Sequence, residues 1–385
     1  MKQELLEKME GYEDIIAQIE ASRKTGTDFQ ELKGEVNRFL DLIHPKQVQL
    51  KVKEIIVETG STKTLRFSPV NGYLPPFQAG QYIALHVEVG NIKTNRPYSI
   101  SSAPTERKYW DLTVQRVANG LVSNYLLDEV KVGDTFTSSG PQGVFCYNPL
   151  IHGDNMVCLA GGSGVTPFLS MIREVADKGI KRNVFLIYGS RELKDSIFYE
   201  ELVSLSSKHS NIHFHPVFEK PPERFEGPSG YITAETISSL IGTPDDKTFY
   251  ICGPQAMYDF CIDQLKKLNV PGRKIRREMY GAPANIWECE GWPENVDKDN
   301  TVAIHIKGKK VADAKSRESL LSTLEKSGII IPSVCRSGEC SMCRVKLLEG
   351  KVYQPKGTLL RKADRMFGFI HSCVSYPLSD VNILP

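Results

Sequence analysis

Apolar residues near the start of the chain fall three and four apart: Leu5, Met9, Tyr12, Ile16 and Ile19, then, beyond Lys24-Thr25-Gly26, Phe29, Leu32, Val36, Phe39, Leu40 and Ile43. That spacing puts one apolar stripe on each of two helices and predicts a helical hairpin over residues 1–45. Thr27 with Gln30 three residues on makes a capping box for the second helix, and Pro45 stops it. A packing appendage over a domain face is the plainer reading; a partner-docking arm is the alternative. From Gln47 to Pro149 the pattern shortens to β-rich runs at 51–59, 82–89 and 110–117, broken by Gly, Pro and Asn, which is the texture of a β-barrel. Between Asn155 and Tyr280, strand-like runs at 156–160, 183–188, 213–218 and 248–252 alternate with helical ones at 166–178, 198–208, 233–241 and 257–268. This alternation predicts a parallel, doubly wound α/β sheet. A Gly-, Pro- and charge-containing stretch from Gly281 to Asn300 reads as a linker, and a third module resumes with the strand-like run 302–306. The expected divisions are therefore 1–45, 46–150, 151–281, a linker 282–300, and 301–385.

Length supports this modular reading, because 385 residues exceed what one ordinary core fills. A net charge of +2 lacks the basic excess of a nucleic-acid binder, so nucleic acid is not an expected partner. No run reaches the roughly 18 apolar residues of a membrane span, and Met1-Lys2-Gln3-Glu4-Leu5 leads into alternating charge rather than a secretory core. The expected compartment is the cytoplasm.

Cysteine spacing carries the strongest chemical signal. Of nine cysteines, three form Cys335-Arg-Ser-Gly-Glu-Cys340-Ser-Met-Cys343, and Cys373 follows in His371-Ser-Cys-Val. The C-x4-C-x2-C run is plant-type ferredoxin spacing, with four thiolates to hold two irons. A tight loop bearing three ligands needs a residue free to take positive φ, and Gly338 supplies it. A four-cysteine zinc site is the alternative, although such sites usually pair two C-x2-C knuckles. Cys158 and Cys261, in apolar company, read as buried core thiols.

Nucleotide-binding signals are individually weaker. The strand-like run 156–160 leads into Gly161-Gly162-Ser163-Gly164-Val165-Thr166-Pro167, where glycines would admit a pyrophosphate, Thr166 would cap the next helix and Pro167 suits its first position. Cys252-Gly253-Pro254 ends a second strand on the same sheet edge, so two strand ends frame one crevice. In the barrel region, Arg96-Pro97-Tyr98-Ser99 groups a cation, a ring and a hydroxyl, and Gly120-Leu121-Val122-Ser123 offers a turn with free N–H groups. Together these could hold a flavin diphosphate and its ring.

Taken in order, the motifs resemble the ferredoxin-NADP reductase superfamily, specifically oxygenase-type reductases arranged as flavin domain, nicotinamide domain and C-terminal ferredoxin. The resemblance covers Gln47 to Pro385 and rests on Arg96 to Ser99 (Arg-x-Tyr-Ser), Gly120 to Leu126 (Gly-x-x-Ser-x-x-Leu), Gly161 to Pro167, Cys252 to Pro254, and Glu278-Met279-Tyr280, where Tyr stands in place of the expected Phe. It implies a multidomain protein: a β-barrel flavin domain, an α/β doubly wound nicotinamide domain and an α+β (β-grasp) ferredoxin domain behind the N-terminal helical hairpin. It further implies that Arg96 pairs with the flavin phosphates, Tyr98 packs on the isoalloxazine, Ser99 hydrogen-bonds near N5, and Cys252 and Glu278 line the hydride-transfer site. The sequence Arg-Pro-Tyr-Ser-Ile-Ser-Ser is more similar to FAD-binding members than to FMN-binding ones. Ser190 and Arg191 could grip a 2′-phosphate, whereas Glu219 stands where phosphate-preferring relatives tend to be basic, so NADH is expected ahead of NADPH. The expected activity is hydride transfer from NAD(P)H to FAD, then single electrons through [2Fe-2S] to a separate acceptor protein such as an oxygenase or demethylase. A self-contained flavin reductase of a small molecule, or a redox sensor or docking module, is the alternative.

Overall fold

The computed structural model describes residues 11–24, 34, 36, 38–40, 44–283 and 285–385, and separates residues 1–46 from residues 47–385 as two compact units. In the first unit, α1 (Tyr12–Lys24) opens with Glu13 and Asp14 and closes with Arg23 and Lys24, charges that suit the helix dipole. Residues 34, 36 and 38–40 are also helical. Ile15, Ile16, Ile19, Val36, Phe39 and Leu40 are all exposed. The turn, the Thr27–Gln30 capping box and the expected apolar positions Leu5, Met9, Phe29, Leu32 and Ile43 lie outside the described residues.

The second unit begins with β1 (Gln47–Thr59), β2 (Thr62–Pro69), β3 (Tyr82–Val89), β4 (Ile92–Ser99), β5 (Trp110–Gln115), α2 (Leu121–Asp128) and β6 (Thr135–Ser139). Its six strands run in the order β4-β3-β6-β1-β2-β5, all antiparallel, and a bridge between Ile100 and Leu112 brings the two edges together. Burial alternates strictly along the first half of β1, so Val48, Leu50 and Val52 face a core that also holds Phe67, Ile83 and Trp110.

A parallel sheet follows: β7 (Asn155–Gly161), α3 (Thr166–Lys178), β8 (Asn183–Ser190), α4 (Tyr199–Lys208), β9 (Ile212–Phe218), α5 (Ala234–Ile241), β10 (Lys247–Cys252), α6 (Gln255–Lys267) and β11 (Ile275–Glu278). Strand order is β11-β10-β7-β8-β9, so the winding reverses between β7 and β10, whose ends register at Ala160 and Cys252. A reversal point at the carboxyl edge is where open α/β sheets bind ligands. Both strands are buried along almost their whole length, as central parallel strands must be. Strand β11 was not anticipated, because Arg276 and Arg277 hide its periodicity.

The C-terminal module contains β12 (Thr301–Ile306), β13 (Lys309–Lys315), α7 (Leu320–Lys326), β14 (Arg344–Glu349), β15 (Val352–Tyr353), α8 (Lys362–Met366), β16 (Phe369–His371), β17 (Tyr376–Pro377) and β18 (Val381–Leu384). Its five-stranded sheet has the order β13-β12-β18-β14-β16, with β12 and β18 parallel and α7 packed across β13. The stretch read as a linker is anchored: Ile286 is fully buried against Tyr353 and Tyr376, and Trp292 meets Tyr353 edge-on at 5.3 Å. Among the described residues no helix is long and apolar enough to cross a membrane.

Candidate electron-transfer site

At the end of β4 the chain brings Arg96, Pro97, Tyr98 and Ser99 to one wall of a cleft of about 450 Å³. Gly120, at the N-terminus of α2, and the helix's first residues Leu121, Val122 and Ser123 line the same cleft, and Ser163 and Thr166 enter from the α/β module. Gly120 is required there, since a Cβ would lie 2.5 Å from Ser123 Oγ, the atom that accepts the Val117 N–H at 3.1 Å. The third module contributes Ser319, Ser322, Arg336 and Cys373. An expected cluster ligand, Cys373, and the expected flavin motif therefore face one space.

Charge fits that space to a phosphate-bearing cofactor. Arg96 donates to Thr94 Oγ1 at 2.8 Å and to Asn95 O at 2.6 Å, and Arg336 donates to the same two atoms at 3.1 and 3.2 Å. Burial, with Arg336 adding to it, pushes the Arg96 pKa down to about 10. The carboxylate within this group, Glu325, is held by Arg336 at 2.7 Å through both oxygens and also accepts from Thr94 Oγ1 at 3.0 Å. Arg336 thus takes up the one carboxylate, and Arg96, with no carboxylate within ion-pair distance among the described residues, keeps a buried positive charge that would suit a flavin phosphate.

Not every expected residue borders a cleft. Cys252 is fully buried and Glu278 nearly so, and neither lines the flavin cleft or the one described next. Tyr280 stands in the way: its hydroxyl is hydrogen-bonded to Ser99 Oγ, and the ring lines the flavin cleft in front of Cys252. Burial holds the Cys252 thiol and the Glu278 carboxyl well above their usual pKa values, so both sit toward their protonated forms. The Tyr258 hydroxyl donates to Glu278 O and accepts the Gly253 N–H at 3.2 Å, pinning the ends of β10 and β11 together.

The Gly161–Pro167 turn divides its residues. Gly161 and Gly162 line a second cleft of about 610 Å³ together with Ser190, Arg191, Glu219 and Pro254, as expected for a nicotinamide coenzyme. Gly164 faces the backbone of β10, and any Cβ there would collide with the Cys252 carbonyl. Helix α3 begins at Thr166 itself, after a 3-10 turn over Gly162–Val165, so Thr166 does not cap it; its hydroxyl donates back to Ser163 O at 2.9 Å. Neither Gly253 nor Pro167 borders a cleft. Sequence reading missed Gln115, which lines both clefts and accepts the Ser163 N–H at 3.1 Å, and it missed the apolar wall of Tyr231, Met257 and Phe260. A signal for that wall exists only in three dimensions, where Tyr231 and Phe260 meet at 5.8 Å.

The four cysteines expected to hold the cluster pair two by two. The Cys340 N–H donates to Cys335 Sγ at 3.3 Å, and the Cys335 thiol is held far below its usual pKa by Cys340; Cys343 is held down in the same way by Cys373. Among the described residues no three His, Cys, Asp or Glu side chains are grouped closely enough to hold a single ion. Gly338 has φ +81°, and a Cβ there would press on Val374 at 2.8 Å. His371 braces the loop, donating from Nδ1 to Gly338 O at 2.9 Å and meeting Ser341 Oγ through Nε2 at 3.1 Å. From the other side, Tyr82 and Ala84 of β3 pack on Val334, Cys335 and Cys340.

Comparison with known proteins agrees with this arrangement. Family models match in order: an oxidoreductase FAD-binding domain over residues 48–147, an oxidoreductase NAD-binding domain over 158–263 and a 2Fe-2S iron-sulfur cluster binding domain over 304–378. The chain is 29% identical over 345 residues to a glycine betaine monooxygenase reductase subunit of Chromohalobacter salexigens, covering 86% of this chain and 93% of the relative. It is 32% identical over 226 residues to NADH-cytochrome b5 reductase 1 of Dictyostelium discoideum, covering 58% of this chain and 78% of the relative. In fold it matches phthalate dioxygenase reductase with a TM-score of 0.66 at 24% identity, over 88% of this chain and 98% of that one. The chain belongs to the ferredoxin-NADP reductase superfamily, as an oxygenase-type flavin reductase with a C-terminal plant-type [2Fe-2S] ferredoxin domain.

Proposed function

We propose that this protein oxidises NAD(P)H, with NADH preferred, and delivers single electrons through its [2Fe-2S] cluster to a separate acceptor protein, an oxygenase or a demethylase. The observation that carries the reading is that Cys373, one of four cluster ligands, lines the same cleft as Arg96, Tyr98 and Ser99. A bound flavin supplies the step from a two-electron hydride to single electrons. The chain's own part is positioning. Arg96 and Arg336 hold the phosphate end, Tyr98 packs on the ring system, and Ser99 directs its hydroxyl to the reacting edge. Gly161, Gly162 and Pro254 receive the coenzyme, and Tyr280 must yield its place beside Ser99 for the nicotinamide to approach. Glu219 in the coenzyme cleft favours a free 2′-hydroxyl over a phosphate, and we place the protein in the cytoplasm, where its free thiols stay reduced.

Anaerobic titration with NADH, followed by visible absorbance and low-temperature EPR, tests this reading. Bleaching of the flavin bands with growth of a rhombic one-electron cluster signal is expected. Bleaching without that signal in iron-replete protein would give the lead to a self-contained flavin reductase. A tenfold higher kcat/KM for NADPH than for NADH, about 1.4 kcal/mol, would overturn the coenzyme preference.

A further inference from the structure

Around the cluster loop, among residues that do not line the flavin cleft, the chain exposes an unusual combination of side chains. Met342, between ligands Cys340 and Cys343, is 51% exposed, and Leu359, Met366 and Phe367 are 56%, 75% and 66% exposed. Contacts between their segments set them side by side: the Leu359 N–H donates to Gly338 O of the cluster loop at 3.2 Å, the Leu347 N–H donates to Gly368 O, next to Phe367, at 2.8 Å, β14 pairs with β16 directly after Cys343, and Thr358, Leu360, Arg365 and Gly368 line one groove. Exposed apolar groups gathered in one place, beside a redox centre that must be approached closely, mark an interaction surface.

Charge identifies what covers it. Residues 344–367 hold seven basic and two acidic side chains, a local excess of +5 in a chain whose net charge is only +2. Of the two acidic residues, Asp364 is taken by Arg344 at 2.6 Å and Glu349 ends β14, five residues along from Arg344; Glu290, from outside the span, is taken by Lys356 at 3.1 Å. Arg361, Lys362 and Arg365 are exposed and, among the described residues, have no carboxylate within ion-pair distance. We infer that this face docks an acidic surface of the electron-accepting protein, with Met342, Leu359, Met366 and Phe367 as its dry centre and Arg361, Lys362 and Arg365 as its charged rim. The inference rests on the proposed electron exit through the cluster. Rim charges of one sign steer encounter and choose partners, while the apolar centre excludes water where the electron crosses.

Cytochrome c and its succinylated form provide the test, being one haem protein presented with opposite surface charge. At low ionic strength the NADH-reduced holoprotein is expected to reduce the succinylated form faster than the native one, with the advantage fading as salt rises. The Arg361→Glu/Lys362→Glu/Arg365→Glu variant should lower the succinylated rate by about tenfold or more while leaving ferricyanide turnover and the NADH-generated cluster signal unchanged. Phe367→Ser, which keeps the charge, should raise KM for the succinylated form roughly fivefold with its salt dependence intact. Equal rates for the two forms, or a charge-reversed variant that keeps the wild-type ratio, would overturn the inference. So would a wild-type dimer, or binding to phosphatidylserine vesicles, that the charge-reversed variant abolishes, since a second copy or a lipid surface would then be the occupant. If the cluster is not reduced by NADH at all, it is the proposed function that fails.

Discussion

The two clefts solve different problems with different materials. The flavin cleft draws side chains from all three modules of residues 47–385 and is fastened by buried charge, with Glu325 and Arg336 on one side and Thr94 and Asn95 on the other. The nicotinamide cleft belongs almost wholly to the parallel sheet, and its Arg191, Glu219 and Tyr231 are exposed. A resident cofactor tolerates a site that must be assembled once, and charges desolvated in assembly hold it for good. A coenzyme that arrives and leaves at every turnover needs a site on one rigid body, with contacts made and broken against water.

That contrast can be broken most severely at Cys373, the ligand shared between cleft and cluster. Cys373→Ala is expected to abolish the cluster EPR signal and protein-acceptor turnover while NADH still bleaches the flavin. Loss of flavin reduction as well would mean that the module acts on the first step too. Next in size, Arg336→Ala strands Glu325 among buried groups and should cost about 3–5 kcal/mol by thermal or denaturant unfolding, with flavin released. Glu325→Leu/Arg336→Met should restore most of that stability and leave the flavin weakly held. Full recovery of flavin affinity in the double variant would show that the Arg336 charge takes no part in holding it. Ser99→Ala should slow flavin reduction by NADH roughly tenfold to a hundredfold in stopped flow with flavin content unchanged, and reduction at the wild-type rate would remove Ser99 from the reacting edge. The smallest effect belongs to the open cleft: Phe260→Ala forfeits part of one aromatic contact, about 0.5–1.5 kcal/mol, and should appear as a higher KM for NADH with kcat intact.

Much of the flavin and cluster chemistry was legible because it is local. Arg96 to Ser99, Gly120 to Ser123 and the cysteine run each sit on a few consecutive residues, and period-two and helical patterns located the strands and helices that carry them. What escaped reading came from contacts between distant segments. Gln115 lines both clefts because β5 ends beside the turn after β7, and Arg336 meets Arg96 across 240 positions of chain. Cys252 and Glu278 follow the family motif, yet both are buried and it is Tyr280 that lines the flavin cleft, a geometry that depends on how β11 leaves the sheet. Thr166 carried the residue type of a cap, but a 3-10 turn ahead of it moved the helix start onto Thr166 itself.

The buried pair between Glu325 and Arg336 also bears on how such a protein can be rearranged. If the ferredoxin module were exchanged for another by genetic fusion, the incoming domain would have to bring both members of the pair or neither, and the barrel receiving the pair would have to present Thr94 and Asn95. A chimera that kept only one member of the pair would bury a lone charge at the seam, so in this chain the barrel and the ferredoxin fit as a matched set.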